Sequence, residues 1–252
     1  MYVVFAIAIV AAYLLGSVPF AFLIAGAHGK DLRTIGSGNI GATNLARAVG
    51  RKWGYICFAL DVLKGLAPMA IVGAVAGAPD NPLFLSLWLL VGIAAILGHV
   101  FPVYLRFKGG KGVATSFGVA LGLWPYFTLC ALVSLAVWIA VVLTWRYVSL
   151  ASICAAVAFP IALALGILAL HDWHSTSLWP LLIAAVVIPI LVIVRHRDNL
   201  RRLAAGTESR VHIHSRMRES QGRSFGSSRW QCVTRFTQVK IENDSVSKED
   251  QQ

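Results

Sequence analysis

The sequence predicts an all-α integral membrane protein with seven transmembrane segments, and composition, apolar runs and the placement of Lys and Arg all favour it. Of the 252 residues, 58% are hydrophobic and only 13% are charged, whereas about a quarter are charged in an ordinary soluble domain. A membrane-crossing helix needs roughly 20 apolar residues, and runs of about that length recur as far as residue 195. We therefore expect residues 1–208 to form one membrane domain.

The segments are bounded by charged residues or by Pro and Gly. The first lacks a preceding Lys or Arg and is too long for a signal-peptide core, so we expect it to be retained. The fourth is too short for a hydrocarbon core of about 30 Å, which predicts a half-helix or re-entrant segment. In order, the seven cover residues 2–25, 54–78, 83–105, 113–124, 126–145, 149–170 and 178–194.

The basic residues predict the orientation of these segments. Connections 26–53 and 106–112 carry five and three Lys or Arg residues, whereas connections 79–82, 124–125 and 171–177 carry none. With seven crossings, every basic connection falls on one side, which the positive-inside rule makes cytoplasmic. The N-terminus is then outside and the C-terminus is cytoplasmic.

Composition also excludes some functions. The net charge is +11, but the basic residues up to Arg202 separate apolar runs instead of forming a soluble basic face, so no nucleic-acid partner is expected. The four cysteines show neither CxxC nor Cys/His ligand spacing, which argues against a metal site. Residues 209–252 are polar and lack apolar periodicity, so we expect a disordered cytoplasmic tail.

The first polar loop, GSGNIGATN, runs from Gly36 to Asn44 and is followed by Arg47. It contains G-x-G-x-x-G, but it lies between two membrane segments and lacks the strand that a dinucleotide-binding unit requires. Its glycines expose backbone N–H groups, its Ser and Asn side chains add donors, and Arg47 adds charge, which together suit a phosphate. The alternative is a tight polar turn that caps two helices.

The second loop, KGGKGVAT, runs from Lys108 to Thr115. Gly112, and not Ser or Thr, follows Lys111, so a nucleotide-binding P-loop is not supported. Glycines beside a helix start still favour an anion, with Lys111 as a point charge. The alternative is simple anchoring of the segment by a pair of lysines on the cytoplasmic side.

The third loop, RHRDNLRRLAAGTE, runs from Arg195 to Glu208. A continuing helix would put His196 and Asn199 on one face, because they are three residues apart. The alternative is a solvated histidine at the membrane interface.

Among Asp, Glu, Lys, Arg and His, three residues fall inside predicted segments. Asp61 and Lys64 are three residues apart in the second segment, so we expect an ion pair. We expect His99, in the third segment, to be a packing residue. The turn from Tyr147 to Ser152 adds two serines, and the sequence does not choose between Ser149 and Ser152 as a polar contact or helix cap.

Together, the three loops resemble the signature of the bacterial membrane acyl-phosphate:glycerol-3-phosphate acyltransferases, the PlsY family. The resemblance runs from about residue 10 to Glu208 and includes the Tyr147–Ser152 turn. It implies a seven-span inner-membrane enzyme without a cofactor, whose active site faces the cytoplasm. Such an enzyme transfers a fatty acyl group from acyl phosphate to the sn-1 hydroxyl of glycerol 3-phosphate, giving lysophosphatidic acid and phosphate for phospholipid synthesis. Its partners are these two substrates and membrane lipid.

The resemblance also implies residue roles. Ser37, Lys111, His196 and Asn199 are the expected catalytic residues, and either His196 or a substrate phosphate serves as the base. The expected substrate- and phosphate-binding residues are Ser37, Gly38, Asn39, Asn44, Arg47, Gly110, Lys111, Gly112, Ser152, His196 and Asn199.

Two matters stay open. A transporter for a phosphate-bearing molecule is the alternative function, although the sequence has no internal repeat of the kind transporters commonly carry. Residues 209–252 match nothing in the resemblance and are either an added extension or the product of a shifted reading frame.

Overall fold

The computed structural model describes residues 2–76 and 81–211. The regular secondary structure of these residues is helical, with no strand among them. The all-α prediction is confirmed for these residues. A short 3-10 turn, Val103–Leu105, follows the fifth helix. The α-helices are α1 (Tyr2–Ser17), α2 (Phe20–Ala27), α3 (Ala42–Ala48), α4 (Arg51–Ala76), α5 (Pro82–Val100), α6 (Val113–Gly122), α7 (Tyr126–Trp145), α8 (Val148–Ala169), α9 (Ser175–Arg195) and α10 (Arg197–Ala204).

Six stretches of the described chain are long and apolar enough to cross a membrane. The remaining predicted segment corresponds to α6, whose 10 residues extend for about 15 Å, half of a typical hydrocarbon core. Seven crossings and their orientation therefore stay predictions. The six stretches are Tyr2–Ala27, Arg51–Val75, Pro82–Leu105, Tyr126–Trp145, Val148–Ala169 and Ser175–Arg195.

The first of these stretches is a broken helix, where the sequence predicted one uninterrupted segment. α1 ends at Ser17 and α2 begins at Phe20, because Pro19 lacks the N–H that would continue the helix. The carbonyl of Val18 accepts a hydrogen bond of 3.2 Å from the N–H of Phe20 and one of 2.9 Å from Lys64 Nζ. The break is thus stabilised by a side chain from α4.

Lys64 also pairs with Asp61, as the sequence predicted. Its Nζ lies 2.8 Å from Asp61 Oδ1, and both side chains are buried. Buried charges are tolerated when each has a partner of opposite sign. The predicted ion pair is confirmed.

Several glycines let the helices pack backbone against backbone, as two of these contacts illustrate. A Cβ added to Gly16 on α1 would lie 2.2 Å from Ala95 O on α5. A Cβ added to Gly118 on α6 would lie 2.0 Å from Val62 O on α4. Small residues at helix interfaces let backbones approach closely where lipid supplies no hydrophobic driving force between helices. The second contact holds α6, and therefore the glycine-rich loop before it, against α4.

The packing of α6 gives a testable prediction. Gly118→Ala is expected to lower stability by about 1–3 kcal/mol, because the added methyl group forces α4 and α6 apart. Gly26→Ala is the matched control, since Gly26 is also helical and a Cβ there meets nothing within 4 Å. Thermal unfolding in detergent measures both variants, and equal melting temperatures would contradict the backbone contact.

Candidate active site

The loop between α2 and α3 is held together by the side chain of Asn44, which is 2% exposed. Its Nδ2 donates to the carbonyl oxygens of Leu32, Ile35 and Asn39 at 3.2, 2.9 and 3.1 Å. Its Oδ1 accepts a hydrogen bond of 3.3 Å from the backbone N–H of Ser37. Asn44, predicted as a substrate contact, therefore has its amide engaged inside the loop.

The same loop needs glycine at two positions. Gly36 and Gly38 have φ angles of +59° and +67°, in the left-handed region that favours glycine. A Cβ at Gly36 would also lie 2.5 Å from Asn44 Oδ1. Ser37 is exposed between these glycines, and the N–H of Asn39 approaches its hydroxyl at 3.5 Å.

The second loop is fixed from α5 and α9. The N–H groups of Gly109 and Gly110 donate to the carbonyls of Val100 and His99 at 3.2 and 3.1 Å. Arg195, at the end of α9, donates to the carbonyls of Gly109 and Gly110 at 3.3 and 3.1 Å. The loop thus has bonds on both its N–H and its C=O sides, and the sequence analysis had named Arg195 only as the first residue of the third loop.

Lys111 extends from this loop toward the third. Gly112, which caps α6, has a φ of +83°, and the ammonium group of Lys111 donates to Asn199 Oδ1 on α10. Burial lowers the pKa of Lys111 to about 8, with the charges of Glu208 and Arg202 acting in opposite directions. Lys111 therefore remains mainly cationic at pH 7.

His196 lies at the junction of α9 and α10 and is 3% exposed. Its Nδ1 is 2.7 Å from the carbonyl oxygen of Val192. Because a carbonyl only accepts, Nδ1 carries the proton and Nε2 of the neutral ring is an acceptor. Burial and the positive charge of Lys111 lower the pKa of His196 to about 4, so the ring is neutral at pH 7.

Glu208 joins the third loop to α8, and sequence reasoning had not proposed it as a site residue. Its Oε1 accepts from Asn199 Nδ2 at 2.6 Å and from Ser149 Oγ at 2.9 Å, and its Oε2 accepts from Arg202 Nε at 2.7 Å. Burial raises the pKa of Glu208, but hydrogen bonds from Arg202, Asn199 and Ser149 outweigh burial and hold it below its usual value. The carboxylate is therefore ionised at neutral pH.

Because an ionised carboxylate only accepts, Glu208 also fixes the amide of Asn199. The Nδ2 group must face Glu208, which turns Oδ1 toward the ammonium group of Lys111. We call Lys111, His196, Asn199, Glu208 and Ser149 the polar cluster.

Of the two candidate serines, Ser149 belongs to the polar cluster and Ser152 does not. Ser152 Oγ donates to the carbonyl of Val148 at 2.8 Å and accepts from Trp138 Nε1 at 3.3 Å. The resemblance implied Ser152 as a substrate contact, while the residues alone left the choice between Ser149 and Ser152 open. Ser149 is the serine bound to Glu208, and the substrate contact stays a prediction.

Arg47, from α3, lies on the exposed side of the cluster. Its guanidinium donates to the carbonyl of Ser209 at 3.4 Å, and its positive charge is among those that lower the pKa of Lys111. The first loop is therefore brought close to the second and third.

Residues 209–211 begin the predicted tail and run beside the start of α8. The N–H of Val211 donates to Arg146 O at 2.8 Å, and Arg210 Nε donates to Tyr147 OH at 2.9 Å. The rest of the predicted tail lies outside the described residues.

Within residues 2–76 and 81–211, no group of three or more His, Cys, Asp or Glu side chains is placed to hold a metal ion.

Comparison with known proteins assigns this arrangement to a family. The family model described as glycerol-3-phosphate acyltransferase matches residues 6–206. Relatives named glycerol-3-phosphate acyltransferase include those of Geotalea daltonii (46% identical, covering 80% of this chain and 94% of the relative) and Trichlorobacter lovleyi (48%, 80% and 95%). A third, from Aquifex aeolicus, is 43% identical over 80% of this chain and 96% of its own length.

Two crystal structures of PlsY, an integral membrane glycerol 3-phosphate acyltransferase, share the fold. The glycerol 3-phosphate form matches with a TM-score of 0.72 and 41% identity over 82% of this chain and 96% of that chain. The lysophosphatidic acid form matches with a TM-score of 0.70 and 40% identity over 82% and 95%. This chain therefore belongs to the glycerol-3-phosphate acyltransferase family, of the PlsY type.

Proposed function

We propose that this protein transfers a fatty acyl group from acyl phosphate to the sn-1 hydroxyl of glycerol 3-phosphate, giving lysophosphatidic acid and phosphate. The observation that carries the proposal is the meeting of the polar loops, with Lys111 of the second bound to Asn199 of the third and Arg47 beside them. The related PlsY structures, a glycerol 3-phosphate form and a lysophosphatidic acid form, support the same acceptor and product.

The cations of the site suit two anionic phosphates. Lys111 is a partly buried cation, whereas Arg47 is exposed and presents the planar donor group that binds phosphate in a bidentate manner. The hydroxyl of Ser37 and the backbone at Gly110 and Gly112 are further candidate contacts, because glycine lets the backbone approach a phosphate closely.

The reaction itself needs little acid–base chemistry. The hydroxyl oxygen of glycerol 3-phosphate attacks the acyl carbon, the bond from that carbon to the phosphate oxygen breaks, and the hydroxyl proton ends on the released phosphate. Acyl phosphate is a mixed anhydride with a good leaving group, so orientation and charge stabilisation account for most of the task. The neutral His196 ring offers Nε2 to orient the hydroxyl, and bound phosphate would raise its affinity for the proton.

We also propose that the chain has seven segments, with the N-terminus outside and the active site facing the cytoplasm at the inner membrane. The end of α5 contacts the Gly109–Gly110 loop, and α7 ends at Trp145, just before Arg146, whose carbonyl accepts from the N–H of Val211 next to the polar cluster. Since α5 and α7 both end on the cluster side, the segment between them, α6, must return the chain toward the opposite side. The basic connections that meet at the cluster mark that side as cytoplasmic.

Turnover by the purified protein tests the proposal. In detergent with acyl phosphate and glycerol 3-phosphate, we expect lysophosphatidic acid and phosphate to appear in equal amounts, because one C–O bond breaks for each ester formed. Absence of turnover by folded protein, together with movement of glycerol 3-phosphate into proteoliposomes, would favour the transporter alternative and overturn the enzyme assignment.

Lys111→Ala is expected to lower kcat/KM by about 10²–10³-fold, the typical loss when one fixed stabilising donor is removed. The matched control is Lys108→Ala, which removes an exposed lysine from the same loop and should change kcat/KM by less than about twofold. Both are measured as initial rates, with melting temperature to verify folding. Equal rates for the two variants would contradict the role of Lys111.

The pKa of Lys111, lowered to about 8, predicts the alkaline limb of the pH profile. As pH rises through that value, Lys111 loses the charge that binds phosphate, so kcat/KM should fall about tenfold per pH unit. Lys111→Arg keeps its charge over this range and should have a lower but flat profile. A wild-type profile that stays flat to pH 10 would rule out Lys111 as the titrating group.

A further inference from the structure

A second group of buried polar residues lies behind the second loop, Lys108–Thr115, which we now call the phosphate loop. Asp61, Lys64 and His99 are 3%, 3% and 9% exposed. Asp61 Oδ1 lies 2.8 Å from Lys64 Nζ and 3.6 Å from His99 Nδ1. Lys64 also donates to the carbonyl of Val18, so the three residues connect the break between α1 and α2 to α4 and α5.

His99 touches the second loop in two ways. Its carbonyl accepts from the N–H of Gly110 at 3.1 Å. Its ring packs against the same glycine, because a Cβ added there would lie 2.2 Å from Nε2 and 3.0 Å from Cε1. Gly110 directly precedes Lys111, so the position of the His99 ring limits where Lys111 begins.

The space around these residues is too small for a substrate. The cavity lined by Asp61, Lys64, His99 and Gly110 has a volume of about 10 Å³, which accommodates about one water molecule. A phosphate ester does not fit. The expensive burial of three ionisable side chains therefore requires a role other than substrate binding.

We propose that Asp61, Lys64 and His99 form a positioning network for the phosphate loop. Asp61, held by Lys64, orients the His99 ring; the ring and the His99 carbonyl fix Gly110; and Gly110 sets the position of Lys111 in the polar cluster. His99 was expected to be a packing residue, and this role makes it a positioning residue. Only the last step, from Lys111 to bound phosphate, rests on the proposed function.

Double-mutant analysis tests the network. Gly110→Ala places a methyl group against the His99 ring, and we expect the affinity for glycerol 3-phosphate to fall at least about tenfold. In the double variant Gly110→Ala/His99→Ala the obstructing ring is gone, so affinity should return to within about threefold of His99→Ala alone. The carbonyl of Ile40, 3.0 Å from the same Cβ position, keeps this recovery incomplete.

Gly109→Ala is the matched control. A Cβ at Gly109 would lie 2.2 Å from His99 O and 2.8 Å from Val100 O, and these backbone atoms remain after His99→Ala. His99→Ala should therefore restore glycerol 3-phosphate affinity to Gly110→Ala and fail to restore it to Gly109→Ala. Calorimetric titration with glycerol 3-phosphate and melting temperature are measured for all five variants and the wild type.

Additive losses, or equal rescue at both glycines, would overturn the proposal. So would coupling confined to melting temperature with the glycerol 3-phosphate affinity of His99→Ala unchanged, because the network would then support the fold alone. Neither measurement requires turnover. A wild-type protein that binds glycerol 3-phosphate without acyl transfer would contradict the proposed reaction while leaving this test intact.

Discussion

The carboxylate of Glu208 is the group on which the geometry of the polar cluster depends. It accepts hydrogen bonds from α8 through Ser149, from α10 through Asn199, and from Arg202. Charge-assisted bonds of this kind are roughly twice as strong as neutral ones. Because the carboxylate only accepts, it also determines which end of the Asn199 amide faces Lys111. One partly buried anion thus links two helices and sets the orientation of the Asn199 amide beside Lys111.

Burial then separates the charge states of the two titratable groups in the cluster. The pKa of Lys111 is lowered to about 8 and that of His196 to about 4, so at pH 7 the first is charged and the second is neutral. Two adjacent groups whose pKa values lie on either side of the working pH take different chemical roles. In the proposed reaction, Lys111 would hold an anion, while the neutral His196 ring would keep a lone pair available for a hydroxyl proton.

Much of the fold was readable from the sequence because it depends on local patterns. Apolar run length predicted the short segment at residues 113–124, and the observed helix α6 is Val113–Gly122. The ion pair of Asp61 and Lys64 was also predictable, because the two residues are only three positions apart in one helix. The break at Val18 and Pro19 was missed although the proline was visible, because hydropathy averages over a window and does not register one absent N–H.

The contacts that build the site were less accessible to sequence reasoning, since they join residues far apart in the chain. Ser149 and Glu208 are separated by 59 positions, and Arg195 and Gly110 by 85. No periodicity encodes such pairs. Asn44 shows the complementary difficulty: an asparagine in a glycine-rich loop suits a phosphate, yet three loop carbonyls compete for its donors. The sequence shows that an asparagine donor is present, but it does not show which acceptor that donor faces.

The membrane setting explains why polar side chains form hydrogen bonds with backbone carbonyls in this protein. The hydrocarbon core contains no water to form hydrogen bonds with the backbone groups of loops and broken helices. Side chains must therefore form those hydrogen bonds. Lys64 donates to the carbonyl of Val18, Asn44 donates to carbonyls of the first loop, and Arg195 donates to carbonyls of the second loop. Each bond satisfies a backbone group and also holds a loop in place. Satisfying the backbone and preorganising the proposed anion site therefore depend on the same hydrogen bonds, and a substitution that removes one is expected to affect both.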